Sequence, residues 1–160
     1  MAKVVDVWKH RYYEHYFHVK INQQKYINKL CLEYIKGIYW VAKYYFEECP
    51  CYKWQYISNH APFLSDISTF YRNNIKNINN VIFENAKPLK PLQQLLAVIP
   101  PKHVNILPKN YRYLVESDNS ELADYYPINV KIDMINKDIY WKCDPELPII
   151  DVNRIINATN

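Results

Sequence analysis

Hydrophobic positions recur three and four residues apart over most of the chain, the spacing of one face of an α-helix. From Val4 to Phe17, the residues Val4, Val7, Trp8, Tyr12 and Tyr16 keep this spacing and predict a short amphipathic helix. A longer one is predicted over Ile21 to Glu47, with Ile27, Leu30, Tyr34, Ile38, Val41 and Tyr45 as its apolar stripe and Pro50 as its stop. Leu64 to Phe83 reads as helical, but its Asn-rich second half, Asn73 to Asn80, reads equally well as a loop. Lys87-Pro88-Leu89-Lys90-Pro91 is a breaker, and Pro91 suits the first position of a helix through Leu92, Leu95, Leu96 and Ile99, which Pro100 and Pro101 end. A further helix is predicted from Pro108 to Glu116. The period then falls to two: Val130, Ile132 and Met134 alternate with Lys131 and Asp133, and Asp138 to Trp141 is the expected partner strand across Asn136-Lys137. Asp151 to Ala158 returns to helix. With no internal repeat or low-complexity linker, the expected fold class is mainly α: a single helical domain over residues 1–160 with a small β-hairpin near the C-terminal end.

Composition adjusts this picture in two places. A chain of 160 residues, 49% hydrophobic, can bury roughly 70% of the surface its unfolded form exposes, enough for one core. Tyrosine occurs 16 times and glycine once, so turns fall to Asn, Asp and Pro. The single glycine, Gly37, lies inside the long predicted helix, where glycine costs about 1 kcal/mol relative to alanine. It marks either a close crossing by another element or simple tolerance. No apolar run reaches 18 residues, and Met1 to Asp6 lacks the layout of a secretory signal, so the expectation is an intracellular protein, cytoplasmic or nuclear, without a membrane partner. The four cysteines, Cys31, Cys49, Cys51 and Cys143, are then expected as reduced thiols.

Candidate chemistry is sparse. The Cys49-Pro50-Cys51 spacing is too short for a zinc knuckle, and no second pair stands at a suitable distance. His15 and His18 stand three apart and Glu14 and His18 four apart, which would place potential metal ligands on one helix face, but no further ligand stands nearby; solvated or packed side chains are the plainer reading. One glycine permits neither a nucleophile elbow nor a phosphate-binding loop. The sixteen acidic residues are scattered, whereas a two-metal nuclease needs carboxylates converging on ions about 4 Å apart. A net charge of +4 without a basic run permits nucleic-acid contact without demanding it. The residues alone therefore describe no self-sufficient enzyme and no metal or cofactor site.

What stands out is Glu48 to Phe63, ECPCYKWQYISNHAPF. Tyr52, Trp54 and Tyr56 alternate, which in an extended piece places three rings on one side and Lys53 and Gln55 on the other. Such rings form either a buried aromatic ridge or a surface on which nucleotide bases stack.

The order of motifs resembles the second conserved region of the XRN family of 5′→3′ exoribonucleases, the part that follows the catalytic nuclease region. Trp8-Lys9-His10-Arg11-Tyr12-Tyr13 with Phe17 resembles the family's W-x-x-R-Y-Y…F start, and Tyr34-Ile35-Lys36-Gly37-Ile38-Tyr39-Trp40-Val41 resembles Y-[VI]-E-G-L-x-W-V. The ring-rich stretch is similar to C-x-S-W-x-W-Y-Y-P-x-H-Y-A-P-F. Downstream, Lys87 to Leu95 resembles G-K-P-F-x-P-x-x-Q-L, Asp124-Tyr125-Tyr126-Pro127 resembles D-[FY]-Y-P, and Leu147 to Asp151 resembles L-P-F-I-D. The chain departs from the family at Tyr52, where the first tryptophan of W-x-W stands, at Asn59 for its histidine, at His60 for the tyrosine that follows, and at Lys36 for the glutamate before Gly37.

The resemblance implies a non-catalytic part of a 5′→3′ exoribonuclease that packs against a nuclease region and walls a channel for single-stranded RNA. It implies Trp54 as the first candidate for nucleic-acid contact, Tyr52 as the second, and Lys53 and His60 beside them. Magnesium binding and hydrolysis belong, in that family, to the nuclease region upstream, which this chain is expected to lack; its partners would be RNA and a nuclease region or second polypeptide. A stand-alone RNA-binding or structural protein derived from the same region is the alternative.

Overall fold

A computed structural model describes the backbone of residues 2–19, 23–78, 81–135 and 137–160, and side chains in these ranges apart from 2–6 and 75–78. The expectations that fall on Val4, Ile21, Asn79, Asn80 and Asn136 thus concern positions outside the described residues. The fold is mainly α with one two-stranded antiparallel hairpin near the C-terminal end, as the hydrophobic periods predict. The chain divides into two compact units, Met1–Lys87 and Pro88–Asn160.

The first unit contains α1 (Ala2–Phe17), α2 (Gln24–Phe46) and α3 (Leu64–Ile78). Its core joins Tyr13 and Phe17 of α1 to Ile27, Leu30 and Cys31 of α2, with Val19 between them and Phe63, Ile67 and Phe70 against it. A carboxylate organises the polar edge of this core. Asp66 accepts a hydrogen bond from the Tyr13 hydroxyl at 2.6 Å and an ion pair from Lys9, while the Phe63 N–H donates to the Tyr13 oxygen at 3.1 Å. Burial, then the Asp66 hydrogen bond, raises the Tyr13 phenol above its ordinary value, and burial pushes the Cys31 thiol up to about 11. The Tyr12–Tyr13 pair of the first motif is thereby bound into α3, since Tyr12 also donates to the Ala61 carbonyl at 2.7 Å. His18 does not share a helix face with Glu14: it leaves α1 in the left-handed conformation, φ 53°, and the His15 ring packs edge-on against Tyr16 at 4.6 Å.

The apolar stripe of α2 is buried only in part. Its N-terminal half supplies Ile27, Leu30, Cys31 and Ile35 to the interior, but Ile38 is 58% exposed, Val41 48% and Tyr45 75%. The helix ends at Phe46, four residues before Pro50. In α3, the Asn74 side chain donates to the Phe70 carbonyl at 2.9 Å, and the backbone leaves helical geometry there (φ −132°, ψ 21°). An asparagine that competes with the backbone for its own carbonyl has this effect, and it explains why the Asn-rich half reads ambiguously.

The second unit holds α4 (Pro91–Val98), α5 (Tyr113–Glu116) and α6 (Val152–Ala158), around a core of Leu96, Ile99, Leu107, Leu114, Val115, Leu122, Tyr126 and Ile155. The predicted helix 108–116 is a 3₁₀ turn, Lys109–Tyr111, followed by the single turn of α5; another 3₁₀ helix, Pro101–Ile106, continues past Pro100. Gln93 is the buried polar residue of this core. Its Oε1 accepts from the Lys90 N–H at 2.9 Å and its Nε2 donates to the Thr159 hydroxyl at 3.0 Å, which fastens α4 to the end of α6. Asp151 caps α6 by accepting from the Asn153 N–H at 2.9 Å, and Arg154 grips Asp124 with both nitrogens, at 2.9 and 2.6 Å.

The hairpin pairs β1 (Lys131–Asp133) with β2 (Asp144–Glu146), in the register Lys131↔Glu146, Ile132↔Pro145 and Asp133↔Asp144. This corrects the expected partner, Asp138 to Trp141. A two-residue hairpin turn favours asparagine or aspartate followed by glycine, and here Asn136 is followed by Lys137. The connection instead runs on through a 3₁₀ turn at Tyr140–Lys142 that leaves Trp141 82% exposed.

Tyr126 shows how a proline helix stop is completed. The Leu96 carbonyl would accept from the N–H of residue 100, but Pro100 has none, and the buried Tyr126 hydroxyl donates to that carbonyl at 2.7 Å. Burial pushes this phenol up to about 12, so it remains a donor at neutral pH. Replacing Tyr126 with Phe orphans a buried carbonyl, for a loss of about 1–3 kcal/mol in urea unfolding. The exposed Tyr113→Phe should change stability by about 0.5 kcal/mol or less. Equal midpoints for the two variants would refute this role.

Candidate nucleic-acid interface

The ring-rich segment lies against α2, and a glycine sets how closely. A Cβ built on Gly37 would stand 3.0 Å from Cη2 of Trp54, tighter than ordinary van der Waals contact. The one glycine of the chain is therefore a notch into which the Trp54 indole fits, the close crossing expected of it. Around the notch the rings are ordered. Trp54 stacks on Trp40 (6.3 Å, 24°), Trp40 on Tyr44 (5.3 Å, 8°), and Phe83 meets Trp54 edge-on at 5.9 Å. The Trp40 indole N–H donates to the Cys51 carbonyl at 2.8 Å, which turns the chain back along α2 after Cys49-Pro50-Cys51. The thiols of Cys31, Cys49, Cys51 and Cys143 are free.

One turn further along, Tyr34 and Tyr56 meet edge to face at 5.8 Å. The Tyr56 hydroxyl donates to the His60 carbonyl at 3.1 Å, and burial holds its phenol above the ordinary value, so the donor stays protonated. Tyr34, Gly37, Ile38, Val41, Trp54 and Tyr56 line an open, apolar cavity of about 420 Å³.

The four residues singled out by the sequence fall into two environments. Trp54 is half-buried on α2; Tyr52, 56% exposed, and Lys53, also exposed, are its immediate neighbours. His60 is half-buried against α1, its ring 4.0 Å from Tyr16 and edge-on to Phe17 at 6.4 Å. The alternation therefore brings Trp54 and Tyr56 to one cavity, while Tyr52 is the most exposed of the three rings. Sequence reasoning missed Trp40, which ties the segment to α2 through its ring and its N–H, and it set Ile38 and Val41 on one apolar stripe with Ile27 and Leu30, without distinguishing the exposed half from the buried one. Glycine in mid-stripe was the available signal that the stripe changes character there.

The residues present do not suit a catalytic metal. Among the described residues no three His, Cys, Asp or Glu side chains converge, and Asp66 and Asp124 are engaged by Lys9 and Tyr13 and by Arg154. Nor, among these residues, is any helix long and apolar enough to cross a membrane.

A helical module with a ring-lined notch is what this geometry defines. The family model described as the Xrn1 helical domain matches residues 4–160, and the chain belongs to that family. It is 36% identical over 153 residues to 5′-3′ exoribonuclease 2 of Schizosaccharomyces pombe, 34% over 148 residues to 5′-3′ exoribonuclease 2 of Gallus gallus, and 31% over 151 residues to 5′-3′ exoribonuclease 1 of Saccharomyces cerevisiae. These matches cover 96%, 92% and 94% of the chain but only 15%, 15% and 10% of the respective relatives.

The notch is testable by a double-mutant cycle. In an open helix, Gly37→Ala stabilises by about 1 kcal/mol. Against a seated indole the added methyl overpacks, and the variant should be destabilised by about 1 kcal/mol net. Combined with Trp54→Ala, the same substitution should regain its stabilising sign. Chemical denaturation of the four proteins measures the coupling, and additive effects would contradict the contact.

Proposed function

We propose that this chain is the non-catalytic wall of a 5′→3′ exoribonuclease, packing against a nuclease region and lining the path of single-stranded RNA. The observation that carries the reading is the family match through residues 4–160, shared with relatives that are 5′-3′ exoribonucleases and most of whose length lies outside the matched stretch. In this reading hydrolysis, and the magnesium it uses, belong to the nuclease region. The two compact units act as one domain, which two separated thermal transitions would refute.

Tyr52, Lys53, Trp54 and His60 remain the proposed contact segment, with the work divided by burial. Tyr52 and Lys53, both exposed, meet the strand: a ring stacks on any base, and a cation beside it favours the phosphates. Trp54 and His60, packed on α2 and α1, hold the segment rigid, so that an ordered surface rather than a loose loop meets the RNA.

Tyr52→Ala separates contact from support. In an assembly that includes the nuclease region, it should weaken binding of a short 5′-phosphorylated RNA by about 1–3 kcal/mol. The denaturation midpoint of the chain should stay within about 0.5 kcal/mol of the parent. Trp54→Ala should instead lower stability by about 3 kcal/mol. Unchanged RNA affinity in Tyr52→Ala would remove the contact role.

A further inference from the structure

We infer that the open half of α2 is the seat of a second α-helix, supplied by the part of these exoribonucleases that lies outside the matched stretch. The inference rests on the functional reading above for the source of the partner. The surface and the kind of element that fits it follow from geometry.

Along α2, Ile27, Cys31, Tyr34, Ile38, Val41 and Tyr45 are separated alternately by four and three residues, the heptad spacing of a helix-packing seam. The seam starts inside the unit's own core, where Ile27 and Cys31 are buried, and continues without a break into Ile38, Val41 and Tyr45, which are exposed. The face is thus continuous with packing that already exists. A knob from a neighbouring helix enters a hole bounded by four residues of the facing helix, at i, i+3, i+4 and i+7. Tyr34, Gly37, Ile38 and Val41 stand at these positions, and they line the cavity of about 420 Å³, with Trp54 and Tyr56 as its wall. The Trp54 indole takes the notch over Gly37, and the cavity is the part of this hole left open beside it, toward Ile38 and Val41.

The chemistry of the seat selects against other occupants. Its lining carries no charged group, and the Tyr56 hydroxyl is engaged by the His60 carbonyl, so little is offered to phosphates. Charges that flank the seam are paired within α2 itself, Lys36 with Glu33 at 2.9 Å and Lys43 with Glu47 at 2.7 Å. What fits is an amphipathic helix presenting leucine, methionine or phenylalanine at heptad spacing, crossing α2 at the shallow angle of about 20° that such seams adopt.

The test uses a photo-crosslinking residue, p-benzoylphenylalanine, in place of Ile38. The labelled full chain is co-expressed with the Schizosaccharomyces pombe 5′-3′ exoribonuclease 2 polypeptide from which its own matching stretch has been removed. The expected result is a crosslink to a helical segment of that polypeptide with apolar residues three and four apart. Val41→Glu on the same labelled chain should reduce it at least tenfold, whereas Tyr113→Glu, in the other unit, should not. Circular dichroism of the purified Val41→Glu chain, expected unchanged because Val41 is half exposed, separates loss of docking from loss of fold. If the unlabelled chain fails to copurify with the polypeptide, the functional reading falls and this inference with it. Copurification with a crosslink to a second copy of the chain, to RNA, or to a non-helical segment would overturn the helix seat alone. So would a crosslink that survives Val41→Glu.

Discussion

The contact between Gly37 and Trp54 is the constraint on which the first unit's ring-lined surface depends. A helix interior disfavours glycine, and a half-buried indole in an irregular segment has few partners to hold it. Each supplies what the other lacks: removing one Cβ from α2 lets the ring approach until a methyl would stand at 3.0 Å. Once Trp54 is seated, Trp40 stacks on it and holds Cys51 through its N–H, and Tyr56 comes to face Tyr34. A segment without regular secondary structure thereby acquires a fixed course from ring geometry and a few hydrogen bonds.

Other family motifs solve comparable local problems. Tyr12 and Tyr13 bring α1 to the start of α3 through Ala61, Phe63 and Asp66. Gln93 satisfies both ends of its amide while buried, joining the start of α4 to the end of α6. In Asp124-Tyr125-Tyr126, the carboxylate holds Arg154, the first phenol accepts from the Asp151 N–H at 2.8 Å, and the second completes the proline-stopped α4. Motif residues here are mostly hydrogen-bond and ring contacts between elements.

The sequence was most legible where a single period ran undisturbed. α1, α2, α4 and α6 lie within a few residues of their predicted spans, because each keeps one hydrophobic period; proline marks both ends of α4 and Asp151 caps the start of α6. It was least legible where the regular pattern changed: a side-chain hydrogen bond at Asn74 breaks α3, and backbone bonds three residues apart make Lys109–Tyr111 a 3₁₀ turn ahead of α5. The hairpin register escaped because a ten-residue connection, held in part by Lys137 with Asp144, replaced a short turn. Of the candidate interface, Gly37 and Trp54 were each conspicuous in the sequence. Their mutual contact was not, since nothing in a one-dimensional pattern says which ring meets which helix. The exposed half of the α2 stripe was invisible for a related reason: periodicity identifies an apolar face but not whether the same unit covers it.

Because the chain contains a single glycine, its central contact can be read without interference. Protein labelled with carbon-13 only in glycine gives one α-carbon signal with its two attached protons in a two-dimensional NMR spectrum. An indole seated on Gly37 should displace these protons from their positions in the unfolded chain and separate them from each other through its ring current. Trp54→Ala should collapse that displacement while the protein remains folded. Near-random-coil positions in the folded parent, or a pattern indifferent to Trp54→Ala, would contradict the account.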